Sequence, residues 1–385
     1  MVLSDYVDPD APNALLYPSG MLLFDTRFST NNVKVWSPGY LPATYNNQAV
    51  PYRDRWVTAS GNAPNGTPYM GRYAQRIMVV NALNAVITAN QAIRAEQNYF
   101  NLIACPGYPE TISEMVTLNT DIKQVAFVIG DPPARLPADG TSIQNWATNV
   151  NDAAYTNDIG LTVADDYTSI HYPWGLTTNI DGNQVFAPAS VAALTTFAYN
   201  DQVSYPWFAP AGFNRGVVTV FNSVGYLDSS GNYVPTVLNQ GQRDVLYSNN
   251  INPIAYIPNK GLIIYGQKTL STATTALDRI NVARLINYLN YNLDNIAKPF
   301  LFEPNDTQTR QAVTATFTGF MSNLVGLRGL YDFAVVCDAT NNTPDRIDQN
   351  QLWIDVAIKP TKDIEFIYIP IRLLSTADPL PGGTK

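Results

Sequence analysis

The chain has 385 residues, enough for two or three domains, and 46% of them are hydrophobic. Its formal net charge is −8 and no cluster of Lys and Arg appears, which argues against nucleic acid as the main ligand, because phosphate binding needs clustered positive charge. Charged residues make up only 14% of the chain, against roughly 25% in ordinary globular proteins, so we expect much of the surface to be buried against partners.

The first 78 residues are rich in Pro, Asn, Gly and Tyr and contain only short β-like runs. They predict a β-rich, irregular segment over residues 1–78. The N-terminus shows no basic region followed by an apolar one, so no signal peptide is expected. No run approaches the roughly 18 apolar residues of a membrane span, so no membrane insertion is expected either.

From residue 79, helical and strand patterns alternate. The run QVAFVIG predicts a buried strand, YTSIHYPW a second strand, and SVAALTTFAYN a helix. Thr111 and Glu114 have the spacing of a capping box, which predicts a helix with Thr111 as its N-cap. Such alternation is typical of an α/β layer with a partly parallel sheet, and we assign it to a central domain over residues 79–210.

Residues 211–385 are expected to form a further α/β domain built around two long helices. The first helix should begin at Asp278 and end at Lys298, before Pro299, and the second should begin at Asp306. Apolar residues recur along both at spacings of three and four, which predicts one buried stripe on each helix. The expected fold class for the whole chain is therefore mixed α/β with several domains.

The run LWIDVAIKPTKDIEFIYIPIRL, residues 352–373, predicts two strands joined by a turn at residues 360–363. Because side chains alternate across a strand, each strand has an aliphatic row on one face: Ile354, Val356 and Ile358 in the first, and Ile367, Ile369 and Ile371 in the second. The second strand also has Phe366 and Tyr368 on its opposite face. A strand that is apolar on both faces belongs inside a covered sheet, so the sequence indicates that another segment covers this pair.

The residues suited to catalysis are few. His171 is the only histidine, so one chain cannot build a metal site from two or three histidines. Cys105 and Cys337 lie far apart in apolar runs, which predicts buried free thiols, and no nucleophile motif surrounds either of them. We expect His171 to be a strand residue flanked by aromatic side chains.

Ligand-binding patterns are also weak. The chain has neither a P-loop nor a dinucleotide-binding fingerprint. Gly130 and Asp131 end a strand where many α/β folds bind ligands, but the two prolines that follow supply no amide donors for a phosphate. The carboxylate pairs at Asp165–Asp166 and Glu303–Asp306 are better explained by a solvated turn and by helix capping. The sequence therefore predicts no enzyme, no cofactor and no metal.

Several segments resemble the sheath proteins of contractile tails. The runs INPIAYIPNKGLIIYGQKTLS, LDRINVARLINYLNYNLDNIAKPFLFEPND and LRGLYDFAVVCDATNNTPDRIDQNQLWIDVAIKPTKDIEFIYIPIRL resemble the C-terminal sheath domain. The runs FNLIACPGYPE and FAYNDQVSYPWFAPAGFNRG resemble the preceding domain of sheaths from large contractile-tailed bacteriophages. These segments occur in order over residues 80–373, so the chain is identified as a member of the myophage tail sheath family.

The resemblance implies a structural virion protein that is assembled in the host cytoplasm. Sheath subunits stack as six-fold rings around a tail tube, between a baseplate and a terminator protein. Contraction drives the tube through the host envelope without nucleotide hydrolysis. In such families, extended arms add strands to the C-terminal domains of neighbours. The two aliphatic rows of residues 352–373 would then form a strand-exchange interface between subunits.

The resemblance also implies contact with the tube through a charged helix of the C-terminal domain. The candidates are Arg310 and Arg328, near the ends of the helix that begins at Asp306. The alternative is that they are ordinary solvated or capping arginines.

Large-phage sheaths begin with an arm and an outer insertion domain, and neither is recognisable before residue 80. Either the chain is partial or its arm has diverged.

A different class of protein remains as the alternative. Many Tyr, Trp and Asn residues in predicted loops suggest a tail module that binds a receptor or a glycan. An enzyme ranks third, for the reasons given above. The order of the helix pair and the terminal strands favours the sheath.

Overall fold

The computed structural model of the protein describes residues 44–45, 48–49, 70–150, 160–228 and 232–365, with side chains described from residue 79 onward. Most of the predicted segment 1–78 lies outside the described residues. So does the predicted strand 366–373, with Ile367, Ile369 and Ile371.

The described helices are separated by short loops and strands. They are α1 (Met70–Ala89), α2 (Ile112–Asp121), α3 (Gly140–Ala147), α4 (Ala189–Val203), α5 (Gly212–Arg215), α6 (Gln240–Ser248), α7 (Ile280–Ala297), α8 (Thr307–Gly326) and α9 (Pro344–Asp348). The described strands are β1 (Thr44–Tyr45), β2 (Gln48–Ala49), β3 (Leu102–Ala104), β4 (Phe127–Gly130), β5 (Thr168–Tyr172), β6 (Trp174–Thr178), β7 (Gln184–Ala187), β8 (Ser223–Leu227), β9 (Tyr233–Pro235), β10 (Ile251–Ile257), β11 (Gly261–Ile264), β12 (Leu330–Val336) and β13 (Asp355–Pro360).

A five-stranded sheet lies at the centre, in the order β11-β10-β5-β4-β3. Four strands, β3, β4, β5 and β10, run parallel, and β11 is an antiparallel edge strand. Helices α2 and α3 connect successive parallel strands, as crossovers in parallel sheets require. The predicted partly parallel α/β layer is confirmed. Because β10 and β11 follow residue 210, this sheet crosses the predicted domain boundary, and the division into domains stays a prediction.

Both faces of the central sheet are covered, which explains why its strands are apolar throughout. Val128 of β4 points into a core that contains Ile143 of α3. Its neighbour Phe127 points to the other side, where it packs with Phe197 of α4 and Ala283 of α7. The sheet therefore lies between α2, α3 and α6 on one side and α4 and α7 on the other.

A second, antiparallel sheet has the order β7-β6-β8-β9. The run YTSIHYPW, predicted as one strand, in fact supplies β5 to the central sheet and β6 to this one. Pro173 lies between the two strands, and a proline has no amide hydrogen with which to continue a ladder. The single-strand prediction was therefore wrong at Pro173.

The C-terminal part consists of α7, α8 and a two-stranded sheet of β12 and β13. The predicted stripe of α7 is buried at Leu285 and Leu289, and that of α8 at Val313, Phe317 and Leu324. These side chains form two adjoining cores under the β12–β13 sheet. The helix pair is therefore confirmed, with one apolar face on each helix turned towards the sheet.

The predicted starts of these two helices had different outcomes. Asp306 is the N-cap of α8, as expected, and its side chain accepts a hydrogen bond of 2.8 Å from the amide of Thr309. Asp278, in contrast, does not cap α7, which begins at Ile280 after an extended Arg279. Asp278 lies in a preceding 3-10 turn and forms an ion pair of 2.7 Å with Arg279. The charge partner next to it in sequence competes with the capping role.

Thr111 is the N-cap residue of α2, as predicted, but its side chain makes no capping hydrogen bond, so the predicted capping box does not form. Thr111 belongs to a 3-10 turn with helical backbone angles, and its hydroxyl donates to the carbonyl oxygen of Tyr108 at 2.9 Å. The carboxylate of Glu114 accepts instead from the Thr88 hydroxyl of α1, also at 2.9 Å. The helix itself is confirmed over Ile112–Asp121, because its apolar face is buried against the sheet.

Candidate functional site

The first strand of the predicted terminal pair lies within the described residues and has a strand partner that precedes it in the chain. β13 pairs antiparallel with β12, so that Val356 lies opposite Val335 and Ile358 opposite Phe333. The described residues that follow, 361–365, are not part of a strand. The first predicted strand is therefore confirmed over Asp355–Pro360. Its described partner is β12, and residues 366–373 lie outside the described residues.

The first aliphatic row faces the helices of its own chain. Val356 and Ile358 pack into the core that contains Leu285 of α7, and Ile354 packs into the adjoining core with Phe317 of α8. The side chains that alternate with this row, from Asp355 to Lys359, are exposed. The row holds β13 to its own subunit, so a neighbouring chain would meet the backbone edge and the outer face of this strand.

The edges of this sheet have no strand neighbour among the described residues. β12 and β13 form a sheet of two strands, so each has one hydrogen-bonded edge and one edge without a partner strand in the part of the chain that is described. Exposed side chains of Tyr331, Val336 and Trp353 lie on or beside these strands. A sheet edge of this kind offers a row of amide and carbonyl groups to an added strand.

The two arginines predicted to face the tube lie at opposite ends of α8, whose 20 residues make it about 30 Å long. Arg310 is bound within its own helix start, where Nη1 donates to the carbonyl oxygen and to Oδ1 of Asn305 at 3.1 and 2.8 Å. Arg328 is exposed, and its guanidinium lies 5.8 Å from the ring centroid of Phe208. The structure does not bring the two arginines together into one patch.

Trp207 makes a structural contact that pattern analysis did not identify. Its side chain is buried with Leu289 and Met321, and its Nε1 donates to the carbonyl oxygen of Leu327 at 3.2 Å. This indole attaches the loop that follows α4 to the C-terminal end of α8. The cluster of aromatic residues and prolines in YPWFAPAG was the available signal, but it does not show which helix the indole reaches.

The residues considered for catalysis lie in apolar surroundings. His171 is fully buried on β5 with its ring edge-on to Phe197, and burial lowers the pKa of this histidine to about 3. Neither ring nitrogen has a hydrogen-bond partner among the described residues. Cys337 is buried and Cys105 half-buried, both are free thiols, and burial raises the pKa of each. Thiols with a raised pKa are poor nucleophiles.

Asp131, at the strand end considered for ligand binding, is used to hold a helix. Its buried carboxylate accepts hydrogen bonds from the amide of Ser190 at 2.7 Å, the hydroxyl of Ser190 at 2.6 Å and the amide of Gly107 at 2.9 Å. It thereby caps α4, whose N-cap residue is Pro188 and supplies no capping side chain. Burial raises the pKa of Asp131 to about 6, although these hydrogen bonds act in the opposite direction.

The remaining carboxylate pairs are also explained locally. Asp165 accepts hydrogen bonds from the Tyr167 amide at 3.0 Å and the Thr168 hydroxyl at 2.6 Å.

Within the described ranges, no group of three or more His, Cys, Asp or Glu side chains is placed to hold a metal ion. Among the same residues, no helix combines the length and the apolar content that crossing a membrane requires.

Comparison with known proteins connects the sheet and helix pair to a family. Residues 272–373, which contain α7, α8, β12 and β13, match the family described as phage tail sheath C-terminal domain. The tail sheath protein of Vibrio phage KVP40 is 34% identical over 265 residues, or 66% of this chain and 38% of that protein. The tail sheath protein of Enterobacteria phage T4 is 31% identical over 278 residues, or 69% of this chain and 39% of that protein.

The resemblance to phage tail sheath proteins is confirmed. The chain spans less than two fifths of the length of these two sheath relatives. Solved structures agree on the fold. The sheath complex of the PVC extracellular contractile injection system, in its contracted state, has a TM-score of 0.59 at 19% identity and covers 74% of each chain. The contracted helical sheath of the anti-feeding prophage has a TM-score of 0.56 at 19% identity, covering 76% of this chain and 73% of that one.

Proposed function

We propose that this chain is a structural subunit of a contractile phage tail sheath, which polymerises around a tail tube and contracts to drive the tube through the host envelope. The observation that carries the proposal is the match of residues 272–373 to the C-terminal sheath domain. That region supplies a helix pair under a sheet whose described edges have no strand partner. Its role is mechanical, and assembly needs no nucleotide, cofactor or metal.

Strand addition is the proposed means of joining subunits. The predicted strand 366–373 of one copy pairs with the β12–β13 sheet of another, and its row Ile367, Ile369 and Ile371 is buried in the junction. Burial of three or four aliphatic side chains at about 2 kcal/mol each supplies several kcal/mol per junction before ordering costs. A contractile lattice needs such links to persist while looser contacts between rings are exchanged.

The proposed assembly is a stack of six-fold rings in the virion, formed in the host cytoplasm, with tube, baseplate and terminator proteins as its partners. Arg310 and Arg328 are the proposed tube contacts. Arg328 is the stronger candidate, because its side chain is exposed, whereas Arg310 is already hydrogen-bonded to Asn305.

Negative-stain electron microscopy of the purified chain tests the proposal, with tubes or stacked rings as the expected result. Ile369→Asp is expected to block polymerisation while the central sheet still folds, because a carboxylate on the buried face of the junction loses its hydration. Ile180→Asp is the matched control, since Ile180 is fully exposed in the loop after β6 and remote from the junction. A parent protein that stays monomeric at all concentrations tested contradicts the proposal. Normal polymers from Ile369→Asp contradict the role of the strand.

A further inference from the structure

Residues 361–365, named here the strap, link β13 to the central sheet and are tied down at both ends. At the first end, the amide of Thr361 donates to the carbonyl oxygen of Gly329 at 3.2 Å, and its hydroxyl donates to that of Arg328 at 3.0 Å. The residues between the ties, 362–364, are exposed, and the carboxylate of Asp363 also accepts hydrogen bonds from the Gln267 side chain and the Ala209 backbone. The strap therefore leaves the end of α8 and crosses to a second point of attachment.

That second attachment is a cluster of donors around the carboxylate of Glu365. Arg279 donates from Nε to Oε1 at 2.6 Å and from Nη2 to Oε2 at 3.1 Å. The hydroxyl of Tyr247 donates to Oε2 at 2.7 Å, and Nε2 of Gln267 donates to Oε1 at 3.2 Å. Each oxygen of Glu365 thus accepts two hydrogen bonds, in a bidentate arrangement that is both strong and geometrically specific.

The donors come from three separate places in the fold. Tyr247 lies on α6, Gln267 is buried in the loop after β11, and Arg279 immediately precedes α7. Burial, together with the hydrogen bond and charge of Glu365, raises the pKa of Tyr247 above its usual range, so its hydroxyl stays protonated and able to donate. Three packed elements therefore converge on one carboxylate near the end of the described chain.

This ion pair differs from the surface pairs of the protein. The side chains of Arg279 and Glu365 are 27% and 18% exposed, whereas those of Lys123 and Asp294 are 70% and 42% exposed. Exposed pairs contribute little to stability because water and salt screen them. Glu365 is partly buried and accepts two hydrogen bonds from Arg279 and two from other side chains, so it holds its position much better. An ordinary connection between two segments does not require such an attachment.

We propose that Glu365, held by Arg279, Tyr247 and Gln267, is a positioning residue that sets the point from which residues 366–385 reach a neighbouring copy of this chain. The inference rests on the proposed function, since it concerns the same strand junction. With the attachment in place, the strand that joins the neighbour begins directly beyond a fixed point on the central sheet. Without it, the free segment begins at Asp363, the attached residue that precedes Glu365.

The expected effect follows from the length of the free tether. Ile367 lies two positions beyond Glu365 and four positions beyond Asp363. The effective concentration of a tethered group falls as about the −3/2 power of tether length. Loss of the attachment therefore lowers the effective concentration of the strand by about threefold, and the critical concentration for polymerisation should rise by about the same factor.

The test is the critical concentration of the full-length chain, measured by sedimentation for the parent, Glu365→Ala and Glu365→Gln. Asp294→Asn, which removes an exposed carboxylate on α7, is the control and should match the parent. Melting temperature is recorded for every variant. Hydrogen exchange should become faster over residues 361–365 in Glu365→Ala and stay slow over β12 and β13. The exchanged pair Arg279→Glu with Glu365→Arg should recover part of the loss.

A rise of about threefold in Glu365→Ala, with an unchanged melting temperature and the recovery in the exchanged pair, supports the positioning role. A parent that polymerises together with a Glu365→Ala variant of equal critical concentration overturns it and leaves the sheath function intact. A loss in Glu365→Ala that tracks a lowered melting temperature, with no recovery in the exchanged pair, also overturns it. A parent that never polymerises overturns the sheath function and this inference with it.

Discussion

The ion pair between Arg284 and Asp201 joins α7 to α4, and its two partners differ sharply in exposure. Arg284 donates from Nη1 to Oδ1 at 2.9 Å and from Nη2 to Oδ2 at 2.6 Å. The Arg284 side chain is 2% exposed and that of Asp201 is 23% exposed. The guanidinium depends on the protein for its charge partner, whereas the carboxylate retains access to water.

This difference predicts unequal costs for removing either partner. Asp201→Ala leaves a buried guanidinium without its counter-charge and should lower the free energy of unfolding by about 3–5 kcal/mol. Arg284→Met replaces the buried partner with an apolar side chain of similar length, and Asp201 then turns to water, so the expected cost is about 1–2 kcal/mol. The double variant should cost no more than Arg284→Met alone, because no unpaired charge remains.

Urea unfolding of the parent, both single variants and the double variant, followed by circular dichroism at pH 7, gives the coupling between the two side chains. The cost of Asp201→Ala should change little between low and high salt, since a buried pair is poorly screened. Lys123→Met, which breaks an exposed pair, is the control and should have little effect. Equal costs for Asp201→Ala and Arg284→Met would refute the reasoning from burial.

Two further predictions concern pH and charge. The pKa of His171 is lowered to about 3 in the folded protein from about 6.5 when unfolded. The unfolded chain therefore binds more protons between these values. Below pH 6.5, the free energy of unfolding of the parent should fall relative to that of His171→Leu by a little over about 1 kcal/mol per pH unit. Urea titrations between pH 7.5 and 5 measure this difference between the two proteins. A difference that stays constant with pH would contradict the prediction. Arg328→Glu should weaken co-assembly with the tail tube more than Arg310→Glu does. The loss caused by Arg328→Glu should be smaller at high salt, because salt screens exposed charges. Co-sedimentation measures co-assembly, and equal values for both variants and the parent would contradict the proposed tube contact.

The sequence predicted best those elements that depend on residues close together in the chain. The N-cap at Asp306 was confirmed because no nearer hydrogen-bond partner competes with the free helix amides for this exposed aspartate. β4 was confirmed because four consecutive buried apolar residues suit a strand that is covered on both faces. Thr111 took the predicted N-cap position without a capping bond, because its hydroxyl donates to the preceding turn. Asp278 failed as a cap because an adjacent arginine engaged its side chain. Capping patterns do not reveal such competing partners.

The candidate site was predicted less completely, because its partners are distant in sequence. The alternation of Ile354, Val356 and Ile358 correctly indicated one apolar face, but the same alternation is compatible with cover from a neighbour or from the chain itself. The structure places α7 and α8 under that face. The cluster around Glu365 gives no sequence signal at all, since its donors lie 86 to 118 residues away along the chain.

The most direct measurement of the central claim is a helical reconstruction by cryo-electron microscopy of polymers formed by this chain. Our account predicts six-fold rings in which a strand from a second copy lies along an outer edge of the β12–β13 sheet and carries Ile367, Ile369 and Ile371 on its buried face. Polymers in which both edges of that sheet remain unpaired, or a chain that forms no polymer at all, would contradict it.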